Sequence, residues 1–423
     1  MKINKVVGYQ VLDSRGRPTV AAAISLTDGS THTARVPSGA STGAHEAKEL
    51  RDVGSSFAEK YYAGLSVLQA VANINQKIAP RLVEEQIDLN LVDQQLLELD
   101  PSINHSSLGA NATLAVSLAA AYADAHSQNK SLARYFKPDG DLLIPMPMVN
   151  ILSGGAHANR VMDIQDLLII PTGAKSFTEA LAWIVAVREM AAKLGSTSGY
   201  TTNLVADEGG LAISFTSIEQ ACEFVIKAIE EVGLTVGSQV HLALDVASTQ
   251  FFDGQNYNLT NLGKSYTPDE FVKYISDLVL NQPIISIEDP FAEDDWDSWK
   301  KFMTNCPKKL QVLGDDLLTT NLDRLNKAIS EKSANAILIK ANQNGLVSST
   351  QNVLKQARAN NFNTVVSARS GENEDSWLAD LATGWSAGQI KVGSTHGSER
   401  NAKWNRLLEF EATEKTKFVN PFN

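Results

Sequence analysis

Six polar residues of this 423-residue chain stand where an apolar run gives out: Asp245, Glu288, Asp315, Lys340, Arg369 and Lys391. The first three are carboxylates in successive units. Any one of them alone reads most simply as an acid on a solvated loop. Three converging carboxylates repel one another, so a hard divalent cation is the economical occupant. Magnesium fits best, because it takes a few carboxylates and keeps water and substrate oxygens as its other ligands. Lys340 and Lys391 lie in strand-like runs, "AILIKAN" and "GQIKVG", and a lysine at a buried strand end is unusual unless paired or functional. Beside a metal and a second cation its pKa is expected to fall, which makes it a candidate base. The stretch "TVVSARSGENED" (364–375) delivers Arg369, Ser370 and Gly371 together. A fork of donors, a hydroxyl and a closely approachable backbone suit an anion. Glu208, in "ADEGG", and Asp166, in "IQDLL", are candidate acids toward a departing hydroxyl.

Residues so far apart need a scaffold that brings strand ends together. Eight apolar runs are candidates for it: "DIQDLLIIP", "TTNLVADEGG", "HLALDVAS", "PIISIEDPF", "LQVLGDD", "NAILIKANQ", "NTVVSARSGE" and "GQIKVGS". After one longer step from Asp245 to Glu288, the terminal polar residues recur every 22–29 residues, about the length of one βα unit. The reading is a (β/α)8 barrel with a modified start, and a barrel gathers its chemistry at the C-terminal ends of its strands. Ahead of it, residues 4–10 and 18–26 and the segment "THTARVP" read as three strands, and residues 62–126 as helical. The proline- and glycine-rich "YFKPDGDLLIPMPM" (135–148) reads as the boundary. The expected division is an α+β domain over 1–135 and a barrel over 141–423.

Hydrophobic content of 43% and charged content of 20% describe an ordinary globular protein. The net charge of −11 argues against nucleic-acid or anionic-membrane binding, while allowing a local pocket for a small anion. Cys222 and Cys306 offer neither a disulfide framework nor metal-ligand spacing. The most apolar helical stretch, "ATLAVSLAAAYADA", is too short to span a bilayer. The opening residues alternate in strand fashion rather than forming a signal sequence, and a cytoplasmic location is expected.

A metal, a lysine base, an opposing acid and an anion clamp together point to proton abstraction α to a carboxylate, followed by loss of a β-hydroxyl. Dehydration of a phosphorylated hydroxy acid fits best. The chain resembles the enolase family over essentially its whole length, through "DSRGRPTV", "VPSGASTGAHEAKELRD", "DEGG", "SIEDPFAEDDW", "GDDLLTTN" and "SARSGENED". A lysine or histidine base with one or two magnesium ions is the established pattern of that superfamily. The resemblance implies a small α+β domain before a barrel with an irregular ββαα start, a dimer or higher homo-oligomer, and interconversion of 2-phosphoglycerate and phosphoenolpyruvate. It implies Lys340 as base and Glu208 as general acid, with Asp245, Glu288 and Asp315 on a first magnesium. Ser41 would help to hold a second magnesium recruited with substrate. His157, in "GGAHAN", would close on the substrate, and Gln165, Arg369, Ser370 and Lys391 would contact its carboxylate or phosphate.

Four positions depart from the family's usual pattern. Asp166 stands where glutamate is general, Ala368 where histidine is, Ser153 where asparagine is usual and Gly397 where arginine is common. Ser153 and Gly397 read as drift. Asp166 withdraws a carboxylate by about one methylene, and a misplacement of about 1 Å can cost ~100-fold in rate. Ala368 removes a ring and a donor; His396, near Lys391, is a candidate to replace the imidazole in part, disfavoured by its distance along the loop. Both changes delete volume, so the alternative substrate is a bulkier phosphorylated or phosphonylated hydroxy acid. A non-catalytic binding protein is disfavoured by the intact carboxylates and lysines.

Overall fold

The computed structural model describes residues 1–39 and 43–422; Ser41 lies outside them. Strands β1 (Ile3–Leu12), β2 (Pro18–Leu26) and β3 (Thr31–Arg35) form an antiparallel meander. The helix Ala110–Ser127 packs against β2 and β3. Its alanines bury nearly every face, which explains why it reads as uniformly apolar rather than amphipathic.

Strand β4 (Leu142–Ile144) leads into the barrel strand β5 (Met146–Ser153), followed by β6 (Asp166–Ile170) and β7 (His241–Asp245). A small hairpin, β8 (Tyr257–Leu259) and β9 (Lys264–Tyr266), intervenes before β10 (Ile284–Glu288). The barrel continues with β11 (Gln311–Gly314), β12 (Ala336–Ile339), β13 (Asn363–Ser367) and β14 (Gly388–Lys391), and β15 (Thr416–Phe418) pairs with β4. The closed order is β10-β11-β12-β13-β14-β5-β6-β7. The pairs β5–β6 and β6–β7 are antiparallel and the others parallel. Two helices, Phe177–Thr197 and Ile218–Glu231, come between β6 and β7. This is the irregular ββαα start.

One expected barrel strand is wrong and one was missed. "TTNLVADEGG" forms no strand but a loop, on which Leu204 and Val205 are 69% and 45% exposed. The strand that fills its place is β5, which begins inside the segment read as a boundary and runs on to Ser153. Pro145 and Pro147 disguised it. A proline is tolerated at the start of a strand, and Pro147 is the second residue of β5.

Alternation along each strand delivers the polar residues. Met148, Leu168, Ala243, Leu313, Leu338 and Val365 form one buried cluster inside the barrel, while the neighbours Val149, Leu167, Leu244, Val312, Ile337 and Val366 belong to the outer layer. Continuing the inward parity by steps of two reaches Asn150, Asp166, Asp245, Asp315, Lys340 and Arg369. Because β6 is antiparallel, its first residue, Asp166, arrives at the same mouth as the last residues of its neighbours.

Candidate active site

At that mouth Lys391 Nζ donates to Asp245 Oδ2 at 2.7 Å and to Glu288 Oε2 at 2.6 Å. Lys340 Nζ donates to Asp315 Oδ2, whose other oxygen accepts from Gln343 Nε2 at 2.8 Å. Gln165 Nε2 donates to Asp245 at 3.2 Å. The three carboxylates expected to share a cation are thus each matched with an ammonium. Among the described residues they do not form one tight ligand group.

The charges follow from this pairing. Burial alone lowers the pKa of both lysines, but Asp315 holds Lys340 above the usual lysine range. Asp245 and Glu288 hold Lys391 far above it. The expected fall in lysine pKa is therefore not a property of the chain alone, because these carboxylates, which the expectation assigned to metal, hold the lysines protonated. Glu288 is pushed well above the carboxylate range by burial and then by the adjacent Asp245 carboxylate.

Do these residues fit a divalent cation? All three donors are hard carboxylate oxygens, nearly sealed from water. Between Asp245 and Glu288 the site already accommodates a positive charge, that of Lys391. The set fits an oxygen-ligated cation such as magnesium. Two other groups bring ligand atoms within 4.8 Å of one another: Asp289, Asp315 and Asp316, and His157, Asp166 and Glu208. In the first, Asp289 accepts the backbone N–H groups of Asp315 and Asp316 at 2.9 and 2.7 Å, a role that positions the Asp315 loop.

The second group is arranged as an acid–base pair. His157 Nδ1 lies 2.9 Å from Asp166 Oδ2, and Nε2 lies 3.7 Å from Glu208 Oε1. Burial lowers the imidazole pKa, but Glu208 and Asp166 outweigh it and raise it to about 9. Burial raises that of Glu208, but His157, Arg400 and the two lysines bring it below the usual range. In the resting chain the proton expected on Glu208 resides on His157.

Arg369 arrives beyond β13 and its fork is engaged: Nη1 and Nη2 donate to Glu46 at 2.9 and 3.2 Å, and Nη1 to Asn342 at 3.0 Å. Ser370 Oγ accepts from Arg15 Nη1 at 3.3 Å. Gly371 is required here, since an added Cβ would sit 2.3 Å from Asp13 and 2.6 Å from the Arg15 guanidinium. His157, Glu208, Lys340, Arg369, Ser370 and Lys391 line one small cavity, together with Gln165, Asp245 and Ala368. Asp166 lies behind His157, and Glu288 and Asp315 behind the lysines. His396 is not in the lining; its ring faces Glu189 at 3.8 Å.

Sequence reasoning overlooked Glu46, Arg15 and Arg400. The first two lie inside quoted family stretches, "GAHEAKELRD" and "DSRGRP", so the signal was present without a partner to explain it. Arg400 is fully buried and donates to the carbonyls of Arg369, Ser370, Val392 and Asp207 at 2.7, 2.6, 2.9 and 3.3 Å. Nothing in "STHGSER" announces that role.

Comparison with known families gives two matches: the enolase N-terminal domain over residues 3–136 and the enolase C-terminal TIM barrel domain over residues 141–419. Among the described residues, no helix is long and apolar enough to cross a membrane.

Proposed function

The chain belongs to the enolase family, and from that premise we propose that it is a magnesium-dependent hydro-lyase interconverting 2-phosphoglycerate and phosphoenolpyruvate. The observation that carries this reading is one small cavity lined by the lysines Lys340 and Lys391, the pair His157 and Glu208, and the pair Arg369 and Ser370. The closely set polar lining around this cavity favours a three-carbon acid over the bulkier alternative, despite the small side chain of Ala368.

Asp245, Glu288 and Asp315 would hold the first magnesium, and a second would be recruited with substrate. Bound magnesium supplies positive charge that acidifies the substrate's C2 proton and offsets the charge left on its carboxylate. Lys340 Nζ, once neutral, takes the C2 proton. Lys391 and Gln165 face the carboxylate, and Arg369 and Ser370 take the phosphate, Arg369 with its fork held in place by Glu46. On the leaving-group side the C3–O bond breaks with its electron pair on oxygen. The hydroxyl leaves as water with a proton drawn from the His157–Glu208 pair, so Glu208 passes on a proton stored on the imidazole. The partner is a small phosphorylated hydroxy acid, and a homodimer is the expected assembly.

The test is magnesium-dependent formation of phosphoenolpyruvate from 2-phosphoglycerate, followed by its ultraviolet absorbance. Turnover that needs both magnesium and Lys340 is expected. A folded, magnesium-binding protein with no turnover would overturn the substrate assignment.

A further inference from the structure

Ser153 reads in the sequence as a neutral change, but the barrel treats it otherwise. Along β5 the inward residues are Met146, Met148 and Asn150, and the outward ones Val149 and Ile151. Strict alternation would turn Leu152 inward and Ser153 out. The ladder to β6 shifts register between Asn150 and Leu152. Leu152 therefore joins the outer layer and Ser153 is re-aimed to the mouth. A bulge beside a site commonly serves to re-aim a side chain in this way.

Once inside, the hydroxyl has little freedom. Ser153 is directly opposite Asp166 in the antiparallel ladder, and its Oγ donates to Asp166 Oδ1 at 2.6 Å. The loop bearing Glu208 presses from the other side: a Cβ at Gly210 would stand 2.3 Å from Ser153 Oγ. Asp166, with one oxygen held, offers the other to His157 Nδ1 at 2.9 Å. Asn150, an inward residue of the same strand, donates to Glu208 Oε2 at 3.1 Å. One bulged strand thus fixes both ends of the Asp166–His157–Glu208 series.

We propose that Ser153 is a positioning residue for the leaving-group side of the reaction: paired with the short Asp166 side chain, it orients the His157 ring so that Nε2 faces Glu208. The two residues act as a matched set. A short acid takes the short hydroxyl as the partner that fixes its rotamer, whereas the family's usual glutamate stands with an asparagine at the position of Ser153. The inference rests on the dehydratase reading for its rate effects but not for its geometry.

The experiment is a double-mutant cycle on Ser153→Asn and Asp166→Glu in the full chain, with Ser153→Ala beside it and folding checked by thermal unfolding. Two readouts are taken: steady-state kinetics with 2-phosphoglycerate, and the downfield proton resonance of the His157 Nδ1–H group in the substrate-free protein, assigned by its loss in His157→Gln. Ser153→Ala is expected to lower kcat 10- to 100-fold with KM changed less than threefold, and to weaken or shift the Nδ1–H resonance. Asp166→Glu alone and Ser153→Asn alone are each expected to lose as much, because each leaves one member of the pair without its match. The double variant is expected to recover to within about tenfold of wild type. Wild-type kinetics and an unmoved resonance in Ser153→Ala, or strictly additive losses in the double variant, would overturn the proposal. If wild type does not turn over 2-phosphoglycerate, the dehydratase reading fails. The resonance then still decides: a response to Ser153→Ala supports the positioning role, and none removes it.

Discussion

Arg369, two residues beyond a barrel strand, and Glu46, from the N-terminal part of the chain, form a two-pronged ion pair at 2.9 and 3.2 Å, with both side chains nearly buried. A bidentate pair of this kind fixes direction as well as charge. It holds the phosphate-facing guanidinium from outside the barrel, so the N-terminal part takes part in the site. Glu46→Ala removes the two-pronged carboxylate partner of a buried guanidinium, a loss of about 3–5 kcal/mol for pairs of this class. Urea denaturation should show that loss, and KM for the phosphorylated acid should rise while Lys340-dependent chemistry persists. Unchanged stability and KM would show that Arg369 needs no such support.

The His157 charge has a consequence in pH. Its folded pKa is raised to about 9, against about 6.5 when exposed. A raised pKa contributes stability that is fully present below the unfolded value and is lost as pH rises through the folded one. In metal-free protein, the stability difference between wild type and His157→Gln should be largest below about pH 6.5 and disappear as pH passes 9. Denaturation midpoints across that range test it, and a difference that grows toward alkaline pH would contradict the charge assignment.

The two sides of the cavity can be separated chemically. Lys340→Ala removes the base, and general-base catalysis contributes ~100- to 10,000-fold. Exchange of the C2 hydrogen of 2-phosphoglycerate with deuterated solvent should fall by that much. Glu208→Gln, on the leaving-group side, should abolish dehydration while exchange continues. Nuclear magnetic resonance of the substrate follows both. If Glu208→Gln stops exchange as completely as Lys340→Ala, the division of labour is wrong.

The residues that announced themselves were those at the ends of parallel strands. Asp245, Lys340 and Lys391 each follow an alternating apolar run, and a step of two carries the inward parity from core to mouth. Legibility failed where that rule was interrupted. The strand β5 was hidden by Pro145 and Pro147. The loop carrying Glu208 imitated a strand with Leu204 and Val205, which face solvent. Ser153 was discounted because its importance depends on a register shift that no composition pattern records. The high lysine pKa values depend on pairings across the barrel, which one sequence cannot display. Ala368 was legible as a loss of volume, but the compact lining around it was not.

Arg400 shows how much of the site is held by backbone contacts. Its guanidinium binds carbonyls at Arg369 and Ser370, at Val392 beside Lys391, and at Asp207 beside Glu208, so one side chain ties three site-bearing loops together. It is also among the cations that keep Glu208 ionised. Lysine retains the charge but presents a compact ammonium in place of the planar fork and cannot span these four carbonyls. Arg400→Lys should therefore lower kcat/KM at least 100-fold, with losses in both kcat and KM, because the anion clamp and the acid side lose register together. Arg400→Gln should add a loss of Glu208 ionisation, seen as an altered acid limb of the kcat profile that Arg400→Lys does not share. Wild-type kinetics in Arg400→Lys would mean that charge alone, without the fork, is enough to hold these loops.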